Sequence, residues 1–246
     1  MNNNQKFAVV IPARYQSSRF PGKPLVGICG KPMIQHVWER CCLAVGVEKV
    51  YVATDSDQIE SAVKAFGGQV IRTSSSCLTG TDRLAEANKV LDLDFVINVQ
   101  GDEPLINPDD INTVIEEYTR GDGCVVNAMC EIKTEKEFLS LTVPKVVASP
   151  NNKLMYMSRA GIPLSKDGEF KFGFKQVCIY AFSREHLEFF YENKKKTLLE
   201  EIEDIEILRF LESGFVVKMV KVESGSVAVD VPSDVKFVEE ALAMNL

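Results

Sequence analysis

A short apolar run, Phe7-Ala8-Val9-Val10-Ile11, is cut by Pro12 and followed by a chain that stays irregular to Pro24. The run shows no polar–apolar alternation, so it suits a strand buried on both faces, as in a sheet covered by helices. The loop behind it carries Arg14, Arg19 and Lys23 among Ala13, Ser17, Ser18 and Gly22. In an open α/β sheet, ligands bind beyond the carboxyl ends of the strands. Three cations beside small residues and free backbone N–H groups there make a seat for a polyphosphate. The plain alternative is a solvated loop with incidental charge. Gly22-Lys23 is followed by Pro24 and lacks a glycine five residues earlier, so this is not a Walker A loop. A G-x-G-x-x-G dinucleotide fingerprint is absent as well.

The rest of the first half repeats a strand–helix–strand rhythm, the mark of a mainly parallel sheet with crossover helices. Residues 31–45 read as a helix with Met33, Ile34, Val37, Trp38 and Cys41 on one side. His36 lies one turn into it with no partner histidine, and reads as structural. Strands are predicted at 50–54 and 70–73, with a helix between them that Ser56 or Asp57 caps and Gly67-Gly68 ends. Thr79 or Thr81 caps the next helix, whose free N–H groups would favour an anion or carbonyl. Asp82 and Arg83 read locally as an ion pair at that helix start. A strand at 94–99 runs into Gln100-Gly101-Asp102-Glu103-Pro104. From its position alone, Asp102 fits either a hard-cation ligand or a turn residue bonding its own backbone. Asn107 caps a helix with Pro108 first.

Beyond Gly121–Gly123, strands are predicted at 125–132, 145–148 and 174–182. A capping box, Thr197-x-x-Glu200, opens a helix expected to run to Gly214 on Leu199, Ile202, Ile205, Leu208 and Leu211. Glu200, Glu201, Glu203, Asp204 and Glu206 are expected mostly on its solvated face. The chain of 246 residues can bury one sizeable core. Its net charge of −7 disfavours general nucleic-acid binding, so any cationic site is local. Seven scattered cysteines lack metal-site spacing and are expected as reduced thiols of a cytoplasmic protein. No secretory signal or membrane-spanning run is expected.

Four stretches together resemble the sugar-acid cytidylyltransferases, and among them the 3-deoxy-manno-octulosonate (Kdo) cytidylyltransferase, or CMP-Kdo synthetase, family. They are residues 11–25, Gly30-Lys31-Pro32-Met33-Ile34-Gln35-His36-Val37, Gly80-Thr81-Asp82-Arg83-Leu84-Ala85-Glu86, and 98–105. The match is dense over the first half and looser after it. The resemblance implies an α/β, nucleotidyltransferase-type (GT-A-like) three-layer sandwich with a mostly parallel sheet. It implies a single domain over 1–246: a nucleotide-binding half (about 1–122), a smaller sugar and dimer subdomain (about 123–190), and a return to the main sheet (about 191–246). The implied reaction joins CTP to a 3-deoxy-ulosonic acid, giving CMP-Kdo and pyrophosphate for lipopolysaccharide or capsule, in a cytoplasmic homodimer with Mg²⁺.

The same resemblance implies the roles of particular residues. Ala13, Arg14, Ser17, Ser18, Arg19, Lys23, Thr81, Asp82, Arg83 and Gln100 would contact the nucleotide. Arg14, Lys23, Asp102 and Asp230 would be catalytic, with Asp102 and Asp230 holding the metal. Arg159, in Ser-Arg-x-x-Ile-Pro, would take the sugar acid's carboxylate. Gln176, Tyr180 and Glu206 would join it at the sugar. Two positions depart from the family pattern: Gln176 replaces a histidine and Ile207 a glutamine, at places expected to face the sugar. The chemistry is therefore expected to be retained on Kdo, on a modified Kdo such as the 8-amino form, or on another 3-deoxy-ulosonic acid. A sialic-type acid is a weaker expectation, because Tyr15, Gln16 and Ser17 replace the glycine-rich loop of those relatives. A nucleotide sensor on a retired fold is the non-enzymatic alternative.

Overall fold

A computed structural model describes residues 5–16, 20–121, 123–223, 228–229 and 231–244. The opening apolar run forms β1 (Phe7–Ala13), buried from Ala8 onward. After it come a two-residue hairpin of β2 (Gly27–Ile28) and β3 (Lys31–Pro32), then α1 (Met33–Val45). The helix thus starts two residues later than predicted, because Pro32 is its cap and Lys31 pairs in the hairpin. His36 Nε2 meets the Ile28 carbonyl at 2.8 Å, the structural role expected. Next come β4 (Val50–Thr54), α2 (Asp57–Ala65) capped by Ser56, β5 (Gln69–Arg72), α3 (Gly80–Leu91), β6 (Phe95–Val99) and α4 (Pro108–Arg120).

The second half contributes β7 (Val125–Glu131), α5 (Glu135–Leu139), β8 (Lys145–Ala148), β9 (Leu154–Ser158), β10 (Phe174–Ser183) and α6 (Arg184–Glu192). It closes with α7 (Leu198–Glu203), α8 (Ile207–Glu212), β11 (Val217–Lys221) and α9 (Pro232–Met244). The predicted continuous helix over 198–213 is therefore two helices. Asp204, at φ 51° and ψ 49°, takes the left-handed conformation that stops α7. The break turns Ile205 inward, and it buries.

The main sheet has the order β11-β7-β10-β6-β1-β4-β5, with β8 and β9 continuing from the end of β10. Along that path β10 alone runs against its neighbours. One face packs α1, α2 and α4 through Val37, Val63, Ile111 and Val114. The other packs α3, α6 and α8 through Leu84, Leu187, Leu208 and Phe210. Three layers result, with the strands' carboxyl ends left open between the loops. Residues 123–190 supply β7 and β10 to the main sheet and β8, β9 and α5 beyond it. Among the described residues no helix is long and apolar enough to cross a membrane. All seven cysteines are free thiols; Cys41 and Cys130 are buried and Cys29 is exposed.

Candidate active site

A cleft of about 430 Å³ opens where β1, β6 and the loop before α3 end. Pro12 breaks β1 so that Ala13 and Arg14 line one wall, and the turn of Lys23–Leu25 brings Lys23 to the same side. Gln100, Gly101 and Asp102 arrive from the end of β6. Gly101 is needed there: a Cβ would lie 2.9 Å from the Pro12 carbonyl oxygen. At Gly80 a Cβ would lie 2.9 Å from Gln100 Nε2, the movable end of a side chain, so the constraint there is weaker. Lys23 Nζ lies 2.6 Å from Asp102 Oδ2. Val229 donates its backbone N–H to the Asp102 carbonyl, and Ala228 lines the cleft, so the carboxyl-terminal segment passes this corner. The expected residues Ser17, Ser18, Arg19 and Asp230 lie outside the described residues.

Arg83 reaches the cleft from the first turn of α3, but Asp82 is not its partner. Its guanidinium donates to Thr73 Oγ1 at 2.6 Å and lies 3.4 Å from Asp55. Thr81 and Asp82 do not line the cleft, contrary to the simplest reading of their expected nucleotide contacts. Asp82 instead closes a capping box on Thr79 and accepts from the buried Arg209 at 3.0 Å. Arg209 also grips the fully buried Glu200 through two bonds, at 2.6 and 2.7 Å, and lies over the Phe190 ring. Burial would lower the Arg209 pKa, but the bonds to Glu200 and Asp82 more than offset it.

The free N–H groups expected at the start of α3 are taken by Glu206. Its carboxylate accepts from Gly80 N at 3.1 Å, Thr81 N at 2.8 Å and Thr81 Oγ1 at 2.6 Å. An anion at a helix amino terminus is favoured. Even so, burial pushes the Glu206 pKa up, against the opposing bonds from Thr81 and Gly80. The acidic run of 200–206 is thus not chiefly a solvated face. Glu200 pairs inside, Glu203 accepts from Ser158 and Arg159, and Glu206 lines the cleft. Charged residues placed inward by a broken helix leave no helical-period signal.

Arg159 also lines the cleft, yet much of its donor capacity is already used. It donates to the carbonyls of Glu203, Leu141 and Asp204, leaving two of a guanidinium's five N–H groups. Lys145, fully buried, donates to the carbonyls of Ser140, Val143 and Arg159 and so fastens the same wall. Burial lowers its pKa to about 8. Gln176 and Tyr180 also line the cleft. Ile207 does not: it is buried in the core, so its expected place facing the sugar is wrong. Lys196 and Asp204, 2.7 Å apart, line the cleft and were not anticipated; a lysine in a Lys194-Lys195-Lys196 run carries no sequence signal of its own.

Arg14, Lys23, Arg83, Arg159 and Lys196 therefore face Asp102, Asp204 and Glu206, a cationic excess inside an acidic chain. Such a cleft focuses anionic ligands. Both histidines are structural and stand outside it; His186 accepts from Ser183 N at 3.1 Å in a helix cap.

The architecture is a nucleotidyltransferase-type α/β fold, and comparison with known proteins narrows it. The cytidylyltransferase family model matches residues 8–223. An 8-amino-3,8-dideoxy-manno-octulosonate cytidylyltransferase of Shewanella baltica is 43% identical over 242 residues, 96% of this chain and 98% of that one. A 3-deoxy-manno-octulosonate cytidylyltransferase of Escherichia coli is 39% identical, covering 98% of each chain. The solved structure of a CMP:2-keto-3-deoxy-manno-octonic acid synthetase complexed with CTP superposes with a TM-score of 0.90 at 38% identity, over 98% of this chain and 100% of that one. The chain belongs to the cytidylyltransferase family.

Proposed function

We propose that this enzyme transfers CMP from CTP to the anomeric hydroxyl of a 3-deoxy-ulosonic acid of the Kdo type, releasing pyrophosphate. The observation that carries this reading is the single cleft where Arg14, Lys23, Arg83 and Asp102 stand opposite Arg159, Gln176 and Tyr180, in a chain that matches such enzymes from end to end. The hydroxyl attacks the α-phosphorus and pyrophosphate leaves in line. Little covalent work falls to the protein, so positioning and charge neutralisation dominate. Arg14 and Lys23 neutralise charge on the triphosphate and leaving pyrophosphate. Arg159 offers its remaining donors to the acid's carboxylate.

The donor chemistry suits Mg²⁺, which takes one or two carboxylates and completes its shell with phosphate oxygens and waters. Asp102 lines the cleft and could supply one such carboxylate. Asp102, with Asp230, would hold the ion, whose chemistry is charge neutralisation and acidification of the sugar hydroxyl. A cytoplasmic homodimer serving lipopolysaccharide or capsule synthesis belongs to the same proposal, and rests on the family resemblance of the sequence. Pyrophosphate release with CTP, Mg²⁺ and a panel of sugar acids tests it. Release with Kdo or its 8-amino analogue is expected; CTP binding without release with any acid would refute it.

A further inference from the structure

The cleft's preference between sugar acids can be traced to a residue that never reaches the cleft. Asn127, on β7, is fully buried. Opposite it β10 is irregular, its register against β7 shifting between Val177 and Tyr180. Asn127 Nδ2 donates to the carbonyls of Val177 and Ile179, both at 2.9 Å. That pair of bonds fixes the amide, since the flipped form would press a carbonyl oxygen against two others. Asn127 Oδ1 is then an acceptor, and Gln176 Nε2 donates to it at 2.9 Å. The amide of Gln176 is oriented in turn. Its nitrogen is turned to Asn127, and its Oε1, on a side chain lining the cleft, is the end left for a ligand.

We propose that Asn127 sets substrate preference by holding Gln176 so that a neutral acceptor meets the sugar acid, and that the acid preferred carries an amine where the common acid carries a hydroxyl. This rests on the proposed transferase reading. The two acids that name the relatives differ in this way at C8. An ammonium has only donors, whereas a hydroxyl is both donor and acceptor. A fixed carbonyl oxygen serves either, but its bond to the charged group is the stronger. Gln176 is neutral, so it brings no charge that would oppose a cation.

The test measures pyrophosphate release from CTP and Mg²⁺ with Kdo and with its 8-amino analogue in parallel, for wild type, Gln176→Met and Asn127→Ser. Wild type is expected to favour the amino acid by about tenfold or more in kcat/KM, the scale of one hydrogen bond to a charged group. Gln176→Met keeps length and removes the acceptor, so the ratio should fall to within about threefold of unity. Asn127→Ser frees the Gln176 amide to turn and should erode the ratio with Gln176 still present. Thermal melts show whether each variant folds, and a ratio between two substrates is insensitive to partial unfolding. Wild-type preference for Kdo, or a Gln176→Met ratio equal to wild type, overturns the inference while the transferase reading stands. A folded Asn127→Ser with an undiminished ratio removes Asn127 from it. Failure of every acid to support release would remove the function and this inference together.

Discussion

Arg209→Met tests how the amino-terminal end of α3 is held. In the native protein Arg209 and Glu200 are both fully buried and joined by two hydrogen bonds, and a third bond runs to Asp82. Removing the guanidinium strands a buried carboxylate, and breaking such a pair costs about 3–5 kcal/mol. For a chain of this size, each kcal/mol lowers the melting temperature by about 2–4 °C, so a fall of about 6–20 °C is expected. Replacing Glu200 by Gln in the same molecule removes the stranded charge and should recover a substantial part of the loss. The assay is thermal and urea unfolding of both single variants and the double variant. A single-variant loss below about 1 kcal/mol would show that the network holds nothing up. Simple addition of the two losses would show that the residues do not act as a pair.

Other consequences are as direct. Asp102→Asn and Lys23→Ala should each lower turnover by about 10²-fold or more, as removal of a transition-state electrostatic group does; steady-state pyrophosphate release near the native rate would refute the assigned role. Gly101→Ala must displace the Pro12 carbonyl or the Asp102 turn, so turnover should fall, and overpacking of this buried site should lower stability by about 1–3 kcal/mol in urea unfolding. Burial holds the His186 pKa at about 4, below its ordinary 6.5. The unfolded chain then binds more protons between those values, so His186 contributes stability that is complete above about pH 6.5 and is lost as pH falls toward 4. Urea midpoints across that window should slope less in His186→Gln. For Lys145, burial lowers the pKa from 10.5 to about 8. The unfolded chain again binds more protons, so wild-type stability relative to Lys145→Met should rise from pH 8 to 10.5, and a flat difference would contradict the burial argument.

The parallel half was legible because its signals are local. An unbroken apolar run gave β1, and Asn107-Pro108 marked the start of α4. One wall of the cleft was legible for the same reason: Ala13, Arg14, Gln100 and Asp102 lie at or just past strand ends, and they line it together with Lys23 from the following turn. The wall built from residues 196–206 was harder. Leu199, Ile202, Ile205, Leu208 and Leu211 satisfy helical spacing, yet spacing cannot reveal that Asp204 adopts a left-handed conformation between two short helices. Ile202 is consequently exposed and Glu200 buried, the reverse of what one amphipathic helix would give. Long-range pairs such as Arg209 with Asp82, or Glu206 with the start of α3, depend on contacts across more than a hundred residues and leave no periodicity to read.

The carboxylate seated on α3 also changes what that corner of the cleft offers an anion. A bare helix start at that end would attract phosphate as readily as the basic loop does. With Glu206 already there, an anion reaching that corner finds the Gly80 and Thr81 N–H groups taken and meets like charge. That corner is closed to an anion by a group of the chain itself, and the basic wall of Arg14 and Lys23 is left as the place where negative charge is welcome.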